Sequence, residues 1–440
     1  MPARPASPLN LRMEQRKPTV VFAAETLNLA EVTRMLEIAK VARRSFECVF
    51  LSYDGAKRNH PYIEAEGFRV VSLEPQLTPE AVERFWQFDR MEAFGDFFSE
   101  DDLARRVRSE LALYRELSPV AVVTGFCLSV NVSARVARIP LVWVAQSTWL
   151  LEYATQYGGW PDFADHPLTR LVPEKLRDRL GRLLTPAGYW LWSHGINRVG
   201  ARYGLAPLRG SAMFEGDHML LAEPEGYSET PVPARLEGRC HFIGPLIARL
   251  DVPIPQAIVD LPRDLPIVYF AMGSSGIEDI VRSILHAFEG QPYRVIAPVG
   301  NLLRSQHTAL PANVLVTGWL PAAQVNAMAQ VAVLHGGIGT LLTACLAGTP
   351  IVGIPNGNPE QEYNLTCLVR KGFALHLHKR RLAPRDVLAG VARLLASDDA
   401  RRRAREFQRT CQAWDGPERA ARFLEQTFGA PSASSATRTR

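Results

Sequence analysis

Between Val331 and Asn364 the chain reads VAVLHGGIGTLLTACLAGTPIVGIPNGNPEQEYN. A four-residue apolar run ends at His335, turns through Gly336, Gly337 and Gly339, and gives way to a helical pattern from Thr340. After Gly348 and Pro350 a second apolar run follows, and then a polar turn carrying Glu360, Gln361 and Asn364. Strand, glycine turn, helix and strand in this order make a unit of a parallel α/β sheet. Such a turn leaves free backbone N–H groups at a helix start, suited to a phosphate. A glycine pattern alone is weak evidence. The histidine directly after the strand and the polar cluster after the next one strengthen it.

The same rhythm fills most of the chain. TVVFAA (19–24), CVFLSY (48–53), FRVVSL (68–73), VAVVTG (120–125) and PLVWVA (140–145) are buried-strand runs. Helical stretches are expected over 29–43, over 79–106 and on to 117. Runs at 218–224 and 241–246 finish this first series. The Pro-containing stretch 247–264 reads as a linker. A second series then runs through 266–272, 292–298, 313–318, 331–335, 351–355 and 373–377, with closing helical segments at 384–395 and 417–428 around a basic run, 401–405. Alternation of this kind is what βαβ connections produce.

Residues 148–205 break the pattern with Trp149, Tyr153, Tyr157, Trp160, Tyr189, Trp190 and Trp192 among Pro and Gly. A structural reading makes them the core of a helical excursion. A functional one makes Trp149, Tyr153 and Trp160 the lining of an acceptor pocket for an apolar or ring-bearing molecule.

Length and composition narrow the function class. With 440 residues, two or three domains are expected. A net charge of +5 spread over that length makes no case for nucleic acid, and is compatible with anionic substrates or peripheral contact with a membrane surface. The cysteines, Cys48, Cys127, Cys240, Cys345, Cys367 and Cys411, are scattered without metal-ligand spacing, so no metal site is expected and a reducing compartment fits. Residues 1–18 lack a signal-peptide core, and no run reaches the ~18 apolar residues that span a bilayer. The reading is a cytoplasmic protein, of unassigned oligomeric state.

The ordered set FIGPL, VYFAMGSSG, GWLP, HGGIGT, the P…EQ..N turn ending at Asn364, and DGPERAA at 415–421 resembles the nucleotide-sugar-dependent glycosyltransferases of the plant UDP-sugar and bacterial antibiotic and sterol transferase type. The likeness is close over 246–428 and looser over 19–144. It implies the GT-B fold, two Rossmann-like α/β domains facing across a cleft. The acceptor-binding domain would be 18–246, the linker 247–264 and the nucleotide-sugar domain 265–412. A final helix, 413–429, would return to the first domain, ahead of a disordered tail at 430–440.

The resemblance also assigns residues. His335 would donate to the donor's phosphates, and Gly337, Gly339 and Thr340 would hold the pyrophosphate. Trp319 would stack on the base. Gly273, Ser274 and Ser275 would border the phosphate and the sugar, and Glu360 with Gln361 would bind sugar hydroxyls. As plain structure, His335 would be a satisfied strand-end histidine and Trp319 a core or lid aromatic. No cofactor beyond a UDP- or dTDP-sugar donor is implied. The acceptor would be a small molecule or lipid.

Three departures matter. Glu31 stands where the family has its general-base His, Arg34 where Pro is common, and Gly125 where the supporting Asp falls. Some bacterial glycopeptide and sterol transferases carry an acidic residue at the His position, which would make Glu31 the base. Its spacing from Asn28 equally suits a helix capping box; Glu25 is the reserve base. Thr343 replaces a Glu that commonly holds both ribose hydroxyls, leaving UDP and dTDP open. Ala322 replaces a Gln near the base. The expected chemistry is inverting transfer of a sugar to a hydroxyl. The alternatives are an epimerase or phosphorylase on the same fold, and a nucleotide-sugar-binding activator without turnover.

Overall fold

The computed structural model describes residues 17–249, 252–273, 276–303 and 309–429. The first half runs β1 (Thr19–Ala23), α1 (Leu29–Ala42), β2 (Glu47–Ser52), α2 (His60–Ala65), β3 (Arg69–Ser72), α3 (Pro79–Asp89), α4 (Glu100–Leu117), β4 (Ala121–Thr124), α5 (Val130–Ala137) and β5 (Leu141–Ala145). Helices α6 (Leu151–Tyr157), α7 (Glu174–Trp192) and α8 (His194–Ala201) form the aromatic excursion, before β6 (His218–Leu221) and β7 (Cys240–Phe242). After α9 (Gln256–Val259) come β8 (Ile267–Ala271), α10 (Glu278–Ala287), β9 (Arg294–Ala297), β10 (Val314–Val316), α11 (Ala322–Asn326) and β11 (Val331–Leu334). The chain closes with α12 (Ile338–Ala347), β12 (Ile351–Gly353), α13 (Pro359–Arg370), β13 (Ala374–His376), α14 (Pro384–Leu395), α15 (Asp398–Gln412) and α16 (Gly416–Phe428).

These strands make two parallel sheets, one of seven strands in the order β3-β2-β1-β4-β5-β6-β7 and one of six in the order β10-β9-β8-β11-β12-β13. Runs such as TVVFA and VAVL are buried on both faces, which is why they lack polar alternation. In each sheet the strand order reverses once, between β1 and β4 and between β8 and β11. Ligands of open α/β sheets bind in the crevice that such a reversal opens. The two Rossmann-like halves and the cleft between them are the fold expected from the sequence.

Two local readings change. The single helical pattern read over 79–106 is two helices, α3 and α4, parted at Met91 and Gly95, which both take positive φ (54° and 103°). The basic run 401–405 lies within α15, where Asp398 and Asp399 pair with Arg401, Arg402 and Arg403 one turn on. Within the proline-containing stretch 247–264, α9 buries Ile258 completely.

The last helix, α16, lies on α1. Ala420, Ala421 and Leu424 share a core with Val32, Met35 and Ala39. At the edge of that contact Arg44 holds Glu418 and Glu425 at 2.7–3.1 Å.

Candidate active site

Each sheet delivers one set of polar groups at its reversal. In the first sheet β1 leads into α1, whose N-cap Asn28 accepts from Ala30 N at 3.0 Å. Glu31, one turn in, is 4% exposed. The backbone N–H of Asn28 goes to Glu25 O and not to the Glu31 carboxylate, so the reciprocal half of a capping box is not formed. Glu31 Oε1 instead takes a close ion pair from Arg34.

Its other oxygen, Oε2, is buried with no hydrogen-bond partner among the described residues. That oxygen lies directly over Gly125, just past β4, where any Cβ would overlap it. The glycine in the Asp position and the acid in the His position are therefore one arrangement: Glu31 fills the space a side chain at 125 would take. Glu25, the reserve base, is 1% exposed and bound to the buried Arg106 at 2.8 Å.

The second sheet repeats the geometry. Leu334 of β11 pairs with Ala271 of β8, so His335 emerges beside Gly273. A Cβ on Gly273 or on Gly337 would come within 2.5 or 2.6 Å of His335 Nε2. The imidazole thus sits in a slot that two glycines keep open. Gly273 also takes φ +65°. Burial pushes the His335 pKa below its ordinary value, against the opposing pull of Asp89 and the backbone of Ala271. Its Nδ1 is buried without a partner among the described residues.

Gly337 is the N-cap of α12 and brings no side-chain acceptor, so the first N–H groups of that helix, Gly339 and Thr340 included, have no intrahelical bond. Apart from its chain neighbours and its own helix backbone, no heavy atom of the described residues lies within 4 Å of where a Cβ on Gly339 would be. Thr343 donates its hydroxyl back to Gly339 O at 2.8 Å. Trp319, past β10, leaves 48% of its surface exposed. Ser274 and Ser275 lie outside the described residues.

The polar turn before α13 joins the two sets. Glu360 Oε1 accepts from Gln146 Nε2, just past β5, at 2.5 Å, and closely from Asn364 Nδ2. Gln146 Oε1 in turn accepts from Arg34 at 3.4 Å. Burial raises the Glu360 pKa to about 7; Asn364, Arg34 and Gln146 oppose the rise and Asp89 adds to it. Burial likewise lowers Arg34 to about 10, offset in part by Glu360.

Gln361 is 4% exposed and gives its carbonyl to Asn356 N at 2.9 Å. Asn364 is fully buried. It donates to Gly336 O at 3.3 Å, accepts from Thr148 Oγ1 at 2.6 Å, and takes the Tyr227 hydroxyl on its backbone carbonyl at 2.9 Å.

The aromatic candidates separate. Trp149 packs edge-on to Phe126, the residue after Gly125, and to Phe214, at 5.8 and 4.8 Å, and its indole N–H is buried without a partner among the described residues. Tyr153 is 2% exposed with its hydroxyl 2.6 Å from Cys367 Sγ of α13. Trp160 donates its indole N–H to Ala164 O at 3.0 Å.

Sequence reasoning did not single out Gln146, Asp89 or the span of Asn364, and it met Arg34 only as a departure. One signal was present: QST directly follows the apolar run of β5, where a parallel strand ends toward the crevice. Among the described residues no group of three or more His, Cys, Asp or Glu could hold a metal ion, and no helix is long and apolar enough to cross a membrane.

Residues 286–426 match the family described as Erythromycin biosynthesis protein CIII-like, C-terminal domain. The chain is 30% identical over 393 residues to a PGL/p-HBAD biosynthesis rhamnosyltransferase of Mycobacterium bovis, covering 88% of this chain and 83% of that one. It is 30% identical over 315 residues to a PGL/p-HBAD biosynthesis glycosyltransferase of Mycobacterium tuberculosis, covering 71% of each. Among solved structures, the glycotransferase of kitacinnamycin superposes with a TM-score of 0.65 at 20% identity, over 93% of this chain and 99% of that one.

Proposed function

The chain belongs to the nucleotide-sugar-dependent glycosyltransferases of the GT-B fold, and from that membership we propose that Glu31 and His335 divide the chemistry of an inverting sugar transfer between the two sheets. The acceptor hydroxyl attacks the anomeric carbon from the face opposite the diphosphate. As the new C–O bond forms, Glu31 Oε2 takes the hydroxyl proton, and the bond to the diphosphate oxygen breaks with its electron pair leaving on the nucleotide. His335 and the free amides at the start of α12 receive that charge, already oriented and out of water. The observation carrying this reading is the buried, partnerless Glu31 Oε2 over Gly125, on a side chain that Arg34 and Gln146 link to Glu360 of the second half.

Glu360 supplies a carboxylate for sugar hydroxyls. Gln361, its carbonyl already used, offers its amide N–H groups. Arg34 orients Glu31, and through Gln146 ties the base to the sugar-binding carboxylate. The clustered rings of Trp149, Phe214 and Phe126, which follows Gly125, suit an apolar or aromatic small molecule or a lipid. Thr343, its hydroxyl spent on Gly339 O, gives a ribose no carboxylate, which favours a thymidine-linked donor over a uridine-linked one. The rhamnosyltransferase relative makes a rhamnosyl donor the first to try.

The test is product formation followed by mass spectrometry across paired UDP- and dTDP-sugars and an acceptor library. Glu31→Gln should bind donor as the parent does yet lose roughly 10²-fold or more in transfer. Undiminished transfer by that variant overturns the base assignment.

A further inference from the structure

Helix α7 is amphipathic the wrong way round for a helix that folds by burying its apolar face. At 100° per residue, Leu176, Leu180, Leu183, Leu184, Ala187, Trp190 and Leu191 fall within one arc of roughly 120°. All are exposed, from 43% for Leu180 to 75% for Leu183. The turn just before adds Leu168, Leu171 and Val172, also exposed.

The opposite face is polar or small and holds the helix to the protein. Arg177 Nη1 reaches Asp165 at 3.1 Å, Asp178 accepts from Trp160 N at 2.9 Å, and Arg182 donates to Gly158 O at 2.9 Å. Gly181 admits the Gly159 carbonyl, and the Tyr189 hydroxyl donates to Trp149 O at 2.8 Å. The apolar stripe therefore leaves much of its surface outside the fold it sits on. A continuous apolar face of this length marks a contact surface.

We infer that the outward face of α7 seats the protein on a lipid surface with anionic headgroups. Charge selects that occupant. Lys175 and Arg179 are exposed along one edge of the stripe with Glu174 the one exposed acid of the helix, while Asp178, Arg177 and Arg182 are bonded inward and Arg170 pairs with Asp165. Leucines on one face, cations along its margin and a tryptophan near its end are the make-up of a helix that lies in a bilayer interface, and such cations are drawn to anionic leaflets. The surface is one convex helix rather than a groove, so it needs a fluid apolar phase more than a partner of matched shape.

The helix's inner face bonds to the backbones of Trp149 and Trp160, which places that phase about one helix diameter, ~10 Å, from the candidate acceptor rings. The seat is argued from α7 alone and stands whether or not Glu31 is the base.

Flotation of the full chain with vesicles tests it, with no donor or acceptor present. Vesicles of phosphatidylcholine with about one-third phosphatidylglycerol should carry the protein at least tenfold better than phosphatidylcholine alone, and high salt should weaken the binding. The double variant Leu176→Glu with Leu183→Glu should lose at least tenfold in partition at an unchanged melting temperature, because both side chains are mostly exposed, at 56% and 75%. Lys175→Gln with Arg179→Gln should lose the salt-sensitive part. The inference fails if the parent stays with the lipid-free fraction, or if the leucine variant floats as well as the parent. It fails equally if sedimentation shows a dimer that Leu183→Glu dissolves while vesicles bind nothing.

Discussion

Glu360 carries the clearest pH signature among the cleft residues. Burial holds its carboxyl at about 7, above the ordinary 4.5, so near neutrality it changes between a neutral donor–acceptor and a carboxylate. If sugar hydroxyls are bound by the carboxylate, KM for the donor should rise as pH falls below about 7. Glu360→Gln should flatten that dependence, as initial rates from pH 5.5 to 8.5 would read out. The linkage has a definite sign. A raised folded pKa contributes stability that is fully present below about 4.5 and is lost as pH rises through about 7. Relative to the parent, the Gln variant should therefore gain on the order of 1–3 kcal/mol between pH 5 and pH 8 in denaturant titrations. His335 was legible because its position after a strand and before glycines has a local cause: the ring needs both glycine sites empty. Arg34 was not, since the partners that explain it, apart from Glu31, lie more than a hundred residues away in sequence.

At the scale of elements, strands were easier to read than helix ends. β8 and β11 are unbroken apolar runs, and β1 and β4 are so but for a terminal Thr, because a parallel sheet covered on both faces leaves no polar side. The parting of α3 from α4 was hidden, since helical side-chain spacing continues through 79–106 while the backbone turns at Met91 and Gly95. Where α16 meets α1, burial and charge should separate cleanly. Leu424, fully buried, should cost about 2–5 kcal/mol on Leu424→Ala. Arg44→Ala, which removes a surface cation from Glu418 and Glu425, should cost far less, because solvent screens the pair. Thermal or urea melts of the two variants check the contrast.

Across the whole molecule the two halves are tied by buried polar bonds, Thr148 to Asn364, Tyr227 to the Asn364 carbonyl and Gln146 to Glu360, and by the ion pair of Arg381 with the buried Asp165. Asn364→Ala would leave the Thr148 hydroxyl, the Gly336 carbonyl and Glu360 short of a partner at once. It should weaken donor binding about tenfold or more, by calorimetry, and lower the melting temperature, because unmet buried polar groups are costly. The amino-acid sequence by itself determined what depends on neighbours within a turn or two: the two βα series, the glycine bend at His335, and the aromatic excursion between β5 and β6. Only the folded chain decided that Glu31 fills the vacancy at Gly125 rather than capping its helix, that Arg34, Gln146 and Glu360 form one line across the cleft, and that α7 turns its leucines outward. Those outcomes are set by contacts between segments far apart in sequence, and by which helix face finds a polar partner, neither of which leaves a periodic trace in the order of residues.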